Sequence, residues 1–415
     1  MAGRSARDLA RRSFVPSIAL VAAVLPLAPS LAPVCVVITL FLGVMSGEMS
    51  FQSFRCLTWK GPLLWMVVFY LWHLVGLEWT TNLDFAALDL GIKLPLLVFP
   101  LLGAAGVRSA HRGPAIRAFI VANILSVGIA LGLASYHSLD YVLHVRPDEI
   151  CSGYTASVPF FASNFSWALH PSYMALYLTM ALVLVMNRSS LSGSSNGRWQ
   201  VVVLALGVVL CASKAGWTAL AGVGVVELYK ALHDPGRRRR ALGVLVLATV
   251  SACALYTGSS LVQERVAQVV GLLGPSSDVP VQANSTSDRQ QVWSAAMEVI
   301  AAQPWLGVGT GDVKDALMAK YDELDYEDPL QKRLNAHDQY LNTAVALGVP
   351  AALCLLALIL VPLWSARRHG DHAMVALLML CGFNWSVESM LEVQAGVLFL
   401  SFFAWLLTDK RSALT

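Results

Sequence analysis

Long apolar runs, separated by short polar segments, make up most of the 415-residue chain. Many of these runs reach the roughly 20 residues that a helix needs to cross a bilayer, and they are continuous rather than alternating. The pattern therefore predicts an all-α polytopic membrane protein with about twelve transmembrane helices. The predicted spans are 14–30, 32–47, 62–80, 85–105, 114–135, 167–187, 199–213, 215–233, 241–258, 339–364, 372–388 and 392–408.

The start of the chain allows two interpretations. Pro29 and Pro33 break one long apolar stretch, so the first two spans are predicted to form a hairpin. A cleaved signal peptide is the alternative, because the basic stretch "RSARDLARR" precedes the first apolar run. Pro33 directly follows the candidate cleavage site "SLA" and favours an uncleaved first span.

Lysine and arginine are concentrated in alternate loops, which fixes the expected orientation. Basic residues precede span one, follow span twelve, and lie after spans two, four, six, eight and ten. The positive-inside rule then places both termini in the cytoplasm. We expect three regions: spans one to nine in 1–258, a large external loop with amphipathic helices in 259–338, and spans ten to twelve in 339–415.

Composition agrees with this picture. The chain is 56% hydrophobic and only 13% charged, with a mean hydropathy of +0.62. A soluble domain carries about twice that charged fraction. Only Cys151 among the seven cysteines falls in a predicted external loop, so the sequence does not indicate a disulfide framework.

The external loop contains a predicted amphipathic helix in "NSTSDRQQVWSAAMEVIAAQPWLGVGTGD". Ser287 and Gln290 have the spacing of a capping box, and Pro304 ends the segment. Arg289 lies one turn before Trp293, so it projects from the same face. It falls in the predicted first turn, where a guanidinium beside unpaired backbone N–H groups suits a phosphate. The alternative is an exposed arginine without a ligand. The apolar face comprises Val292, Trp293, Ala296 and Ile300.

Lys214 lies in "CASKAGW", the short external turn predicted between spans seven and eight. A cation held at this depth can neutralise a lipid phosphate. The alternative is a lysine that extends to ordinary lipid headgroups.

His337 lies in "RLNAHDQYLN", where the external loop meets span ten. We predict Asn335 as N-cap, His337 in the first helical turn and Asp338 at the third helical position. The positive helix end then favours neutral imidazole, which can accept a proton from a hydroxyl. The alternative is a histidine that only packs at the helix start, and whether Asp338 orients the ring is left open.

Other ionisable residues lie near the same predicted face. Glu388 and Glu392 fall in the external turn between spans eleven and twelve, where carboxylates are costly and often functional. Asp89 and Lys93 have i,i+4 spacing in span four and are predicted to pair. His170 opens span six in "ALHPSYMALYL" and either lines the site or begins the helix.

Two further segments carry weak signals. "GVGTG", 307–311, is glycine-rich, but it lacks the preceding strand and the spacing of a dinucleotide site. The acidic run "YDELDYEDP", 321–329, is better explained as a solvated loop than as a metal site. We therefore expect no metal and no nucleotide.

Three segments together resemble the O-antigen ligase and polymerase superfamily: "SKAGW", "SDRQQVWSAAMEVIAAQPWLGVGTGD" and "NAHDQYLNTAVALGVP". The family pattern is a basic residue after Ser, an Arg shortly before a Trp, P-x-x-G-x-G, and H-[NS]-x-x-L opening a membrane helix. Lys214 stands where the family often has Arg, and Asp338 where it usually has Asn or Ser.

The resemblance implies an inverting, metal-independent glycosyltransferase of C-type-like architecture in the bacterial inner membrane, with no cofactor and no nucleic-acid partner. The donor would be O-antigen on undecaprenyl pyrophosphate, and the ligase acceptor would be lipid A–core on the periplasmic side, among membrane lipids. His337 would be the catalytic base. Lys214, Arg289, His170 and Glu388 would bind substrate.

Three alternatives remain at this point. A polymerase or a protein O-glycosylating ligase of the same superfamily would differ from the ligase only in the acceptor. A secondary transporter would also suit twelve spans, but such proteins usually have related halves and polar sites near the bilayer midplane. Here the polar residues gather at the external surface.

Overall fold

The computed structural model describes residues 2–51, 54, 57–103, 107–144, 158–192, 197–233 and 285–408. All regular structure in these residues is helical, which confirms the predicted class of a polytopic all-α membrane protein. The chain divides into two compact units, residues 1–121 with 281–415 and residues 122–280.

The first unit contains most of the helices. They are α1 (Ala2–Leu27), α2 (Ala32–Ser46), α3 (Pro62–Val75), α4 (Leu83–Lys93), α5 (Pro95–Gly103), the first part of α6 (Ser109–His144), α11 (Ser285–Ala302), α12 (Val313–Glu323), α13 (Glu327–Gln331), α14 (Gln339–Arg368), α15 (His372–Trp385) and α16 (Gln394–Leu407). The second unit contains the rest of α6, α7 (Ala162–Phe165), α8 (Pro171–Ser192), α9 (Arg198–Leu210) and α10 (Lys214–Leu232). Short 3₁₀ turns cover Pro29–Leu31, Gly76–Trp79, Val158–Phe160 and Met390–Glu392.

Five of the described helices are long and apolar enough to cross a membrane, or six if the bent pair α4–α5 is one span. Four shorter apolar helices lie in α8, α9, α15 and α16. The predicted ninth span, 241–258, and Cys151 lie outside the described residues, so the count of twelve stays a prediction. The division of the chain at 258 and 338 is a prediction as well.

The predicted fourth span is not one straight helix. α4 and α5 meet at Leu94 and Pro95 with a bend of 40°. Proline has no N–H to continue the ladder of α4, but its fixed φ suits the first position of a new helix. The break therefore follows directly from the sequence at Pro95.

α14 is also broken, at Gly348, where φ is +79° and ψ is +173°. The break leaves the carbonyls of Val345 and Ala346 without partners inside the helix. In an unbroken helix the N–H of Val349 would donate to Val345 O, and residue 350 is a proline, which has no N–H to donate to Ala346 O. The "GVGTG" segment repairs it. Val308 N–H donates to Val345 O at 2.9 Å, Gly309 N–H donates to Ala346 O at 2.8 Å, and Val349 N–H donates to Pro304 O at 2.8 Å.

This pairing explains the glycines. A β-carbon on Gly307 would lie 2.5 Å from the carbonyl of Ala346, and one on Gly348 would collide with the backbone of Trp305. Both residues also have positive φ, which glycine adopts without strain. The glycine-rich segment is therefore a backbone bridge to the break in α14.

α11 packs its apolar face against the first part of α14 and against α12. The buried side chains of this core include Val292, Ala295, Ala296, Val299, Ile300, Leu317, Tyr321, Val345 and Leu347. The sequence placed Trp293 on the same face, but its side chain is 36% exposed and lies at the margin. The predicted amphipathic helix thus packs on the helical bundle, and its polar margin is left accessible.

Candidate functional site

The carboxylate of Glu388 lies between an arginine and a histidine that are distant in the sequence. Its Oε1 is 3.2 Å from Arg289 Nη2, and its Oε2 is 3.4 Å from His337 Nδ1. Three separate elements supply these groups: α11, the turn before α14, and the connection between α15 and α16. The structure therefore brings three of the sequence-predicted site residues together.

The three side chains are partly accessible. Their exposed fractions are 27% for Arg289, 14% for Glu388 and 29% for His337. A cation, an anion and an imidazole at this exposure can contact a substrate and still hold one another in place. The arrangement resembles a base with its orienting carboxylate, a pattern common to many catalytic sites.

The backbone around His337 differs from the prediction. α14 begins at Gln339, and its N-cap is Asp338, whose Oδ1 accepts a hydrogen bond from Leu341 N at 2.8 Å. His337 therefore precedes the helix, in the left-handed conformation with φ of +46°. The assignment of Asn335 as N-cap was wrong because a closer capping side chain was available. Asn335 Oδ1 instead accepts from His337 N at 3.0 Å.

This geometry answers the question about Asp338. Burial raises the pKa of Asp338, and hydrogen bonds from the N–H groups of Leu341 and Tyr340 act in the opposite direction. Its carboxylate is thus occupied as a helix cap, and Glu388 is the carboxylate in contact with the imidazole. Left-handed backbone at a non-glycine residue is strained, and such strain occurs often at functional sites.

The start of α11 also differs from the prediction. α11 includes Ser285 to Ala302, so Ser287 lies inside the helix and cannot be the N-cap of a capping box. Arg289 falls after the first turn, and the acidic residue of that turn is Asp288. The expectation of unpaired N–H groups beside the guanidinium was therefore wrong. What places Arg289 at the site is its ion pair with Glu388.

Trp293 joins α11 to the turn that carries His337. Its indole N–H donates to Ala336 O at 3.1 Å, and Ala336 is fully buried. Because Trp293 lies one helical turn after Arg289, this bond holds the residue before His337 near the arginine. Lys332 reinforces the same turn through an ion pair of 2.9 Å with Asp288.

A second polar cluster lies beside the first. Lys93 pairs with Asp89 as predicted, and its ammonium also donates to both carboxylate oxygens of Glu392 at 3.2 Å. Gln339 Nε2 donates to Glu392 Oε1 at 2.9 Å, and Leu391 N–H donates to Gln339 Oε1 at 2.6 Å. Sequence reasoning missed Gln339, because an amide at a helix start has no distinctive pattern.

His170 and Lys214 lie in the second unit. His170 directly precedes α8, and its carbonyl accepts from Tyr173 N at 2.9 Å, while its Nδ1 accepts from Ser172 N at 3.4 Å. These bonds support the helix-entry interpretation. Lys214 is the first residue of α10 and is half-buried, and the preceding Ser213 Oγ donates to Ser172 Oγ at 3.4 Å.

The acidic run 321–329 forms the end of α12 and the start of α13. In the described part of the chain, no group of three or more His, Cys, Asp or Glu side chains is arranged to hold a metal ion. Lys332 pairs with Asp328 at 3.4 Å, as in a solvated charged surface.

A comparison with protein families matches residues 199–356 to the family described as O-Antigen ligase. A search of curated proteins found no match to the chain. The matched region includes Lys214, Arg289, His337 and the "GVGTG" segment, whereas Glu388 lies beyond it. Residues 199–356 are therefore similar to the O-antigen ligase family, and the three sequence motifs that resemble the superfamily fall within this region.

Proposed function

We propose that this protein is an inverting, metal-independent glycosyltransferase that transfers O-antigen from undecaprenyl pyrophosphate to lipid A–core. The reaction would take place at the periplasmic face of the bacterial inner membrane, with both termini in the cytoplasm. The observation that carries the proposal is the Glu388 carboxylate, which bridges Arg289 and His337 within the first unit. The family match and the apolar helices support the same class of enzyme.

His337 is the proposed base. When its Nδ1–H donates to Glu388, the Nε2 lone pair is left to accept the proton of an acceptor hydroxyl. The hydroxyl oxygen then attacks the anomeric carbon of the donor sugar from the side opposite the pyrophosphate. One C–O bond forms as the C–O bond to the pyrophosphate breaks, and the configuration inverts.

Glu388 has an orienting and electrostatic role in this scheme. It fixes the ring of His337 and stabilises the imidazolium that forms when the proton arrives, as the aspartate does in a serine-protease triad. The proton stays on His337 until the glycan product leaves and solvent accepts it. Glu388 itself does not contact the reacting atoms.

Arg289 is the proposed ligand for the donor pyrophosphate. Undecaprenyl pyrophosphate is a good leaving group, so the step needs positive charge that strengthens its hold as negative charge develops. A guanidinium has five N–H donors, and the ion pair with Glu388 engages Nη2. Other donors are then available to a phosphate oxygen.

Lys214 and His170 keep the roles that the family motif and their position suggest. We assign Lys214 a role in substrate binding, because it opens α10 within the matched region. His170 is assigned to the substrate path at the start of α8. Both assignments are proposals for mutagenesis.

The test is a reconstituted reaction with purified protein, lipid-linked O-antigen and lipid A–core. Wild-type protein should form ligated lipopolysaccharide, and His337→Ala should form none while keeping its yield and its melting temperature. A product with lipid-linked glycan as acceptor instead of lipid A–core would favour the polymerase. Retained ligation in His337→Ala would eliminate the base assignment.

A further inference from the structure

The connection between α15 and α16 carries two carboxylates, Glu388 and Glu392, separated by one helical turn in sequence. Glu388 contacts His337 Nδ1 at 3.4 Å, and Glu392 accepts from Gln339 Nε2 at 2.9 Å. His337 and Gln339 are only two residues apart. The same two chain segments, 337–339 and 388–392, are therefore joined at two points.

Gln339 fixes the position of residues 391 and 392 through two hydrogen bonds. Its amide donates to Glu392 and accepts from Leu391 N–H at 2.6 Å, and its side chain is fully buried. Two hydrogen bonds of opposite polarity to adjacent residues restrict both sliding and rotation of the connection. Met390 and Leu391 are buried as well, which anchors the residues between the two carboxylates.

Lys93 holds the far end of the connection. Its side chain is 1% exposed, and its ammonium donates to both oxygens of Glu392 at 3.2 Å. A buried lysine requires such partners, since an unpaired charge in this environment is very costly. Lys93 in turn sits at the end of α4, whose beginning is bound through the Thr81 and Asn82 N–H groups to Asp312, both at 2.7 Å.

The contact between Glu388 and His337 is long for a hydrogen bond and therefore depends on how the α15–α16 connection is held. At 3.4 Å, the distance between Glu388 and His337 is near the limit at which a hydrogen bond still forms. A shift of roughly 0.5 Å in the connection would break it, because hydrogen bonds weaken steeply beyond this range. The neighbouring bonds at 2.6 and 2.9 Å are short enough to resist such a shift.

We propose that Lys93, Glu392 and Gln339 form a positioning cluster that sets the contact between Glu388 and His337. None of the three touches the reacting atoms in this proposal, and each acts through Glu388. The catalytic consequence rests on the proposed function, whereas the mechanical consequence, a fixed 386–393 connection, does not.

The first arm of the test needs no substrate. Gln339→Met keeps side-chain length and charge, leaves the Asp338 cap in place, and removes both hydrogen bonds. Hydrogen–deuterium exchange of the full-length protein in detergent should show faster exchange in the peptide that covers 386–393. Gln331→Met is the matched control, because Gln331 is exposed at the end of α13. Unchanged exchange in Gln339→Met would overturn the proposal.

The second arm measures turnover in the reconstituted reaction. Gln339→Met should lower kcat about 10-fold or more with little change in the donor KM, since Arg289 is untouched. In a Glu388→Gln background the same change should have no further effect, because residues that act through one another are not additive. Losses that multiply in the double variant would refute the positioning role.

Glu392→Gln is the second variant, and it keeps the proposal testable if Gln339→Met does not fold. It preserves volume, leaves Lys93 paired with Asp89, and removes the charge that Lys93 binds, so the same faster exchange and the same lack of additivity are expected. A wild-type protein that forms no product would refute the proposed function alone. The exchange result would still decide whether the cluster holds Glu388.

Discussion

Glu388→Gln is the variant that tests the proposed site most directly. The substitution preserves the shape of the side chain and one carbonyl acceptor, but it removes the charge that faces both Arg289 and His337. The reaction converts His337 to an imidazolium, so the lost interaction is stronger in the transition state than in the ground state. The effect should therefore appear in kcat.

The magnitude follows from the 3.4 Å separation of the His337 and Glu388 atoms. Coulomb's law gives about 5 kcal/mol at an effective dielectric constant of about 20, and about 1 kcal/mol in bulk water. Side chains exposed by 14% and 29% lie between these limits, because solvent screens part of the interaction. An interaction energy of about 2.4 kcal/mol lies between the two limits, and its loss corresponds to a fall of about 50-fold in kcat.

The assay is single-turnover ligation at saturating donor, together with the donor KM under steady-state conditions. We expect the fall in kcat without a rise in the donor KM, since Arg289 is freed from its ion pair and stays available. Glu298→Gln is the matched control, because Glu298 is an exposed carboxylate on the same helix as Arg289, and its turnover should change less than about twofold. Wild-type turnover in Glu388→Gln would refute the role of Glu388.

Three further outcomes are expected. Arg289→Ala should raise the Kd of the lipid-linked donor about 10-fold or more by removing a charged phosphate ligand, as measured by titration with the donor; unaltered affinity would rule out the pyrophosphate assignment. Gly348→Ala should destabilise the protein by about 2 kcal/mol or more in a detergent melt, because Gly348 has φ of +79° and its β-carbon would meet Trp305. The control Gly370→Ala should cost only about 1 kcal/mol, because Gly370 has φ of +68° but open space around its β-carbon position. Equal effects of the two substitutions would contradict the backbone bridge between the glycine-rich segment and α14. Incubation with EDTA should leave ligation unchanged, and inhibition that a divalent cation reverses would point to a metal in the acidic run.

The local features of this chain could be predicted because they depend on neighbours in sequence. Continuous apolar runs place helices, Pro95 breaks a helix wherever it stands, and the i,i+4 spacing of Asp89 and Lys93 brings them together on any helix. The motifs around Arg289 and His337 showed a resemblance to the superfamily for the same reason, because each motif is a short run of neighbouring residues. Hydrophobic periodicity also predicted the apolar face of α11, which the structure packs against α12 and α14.

The helix ends were less predictable, because several capping residues compete. Asn335 and Asp338 are both good N-caps, and the choice of Asp338 moves His337 out of the helix into a left-handed turn. The sequence does not show which cap prevails, since the outcome depends on how the turn is held by Trp293 and Glu388.

The amino-acid sequence by itself determined the all-helical class of the protein, most of its helices and the identity of the ionisable residues of the candidate site. Only the tertiary structure decided their partners: Glu388 between Arg289 and His337, and Gln339 with Lys93 on Glu392. These contacts join residues 51 to 299 positions apart in the chain. Pattern and propensity act over a few residues, whereas such pairings exist only after the helices have packed.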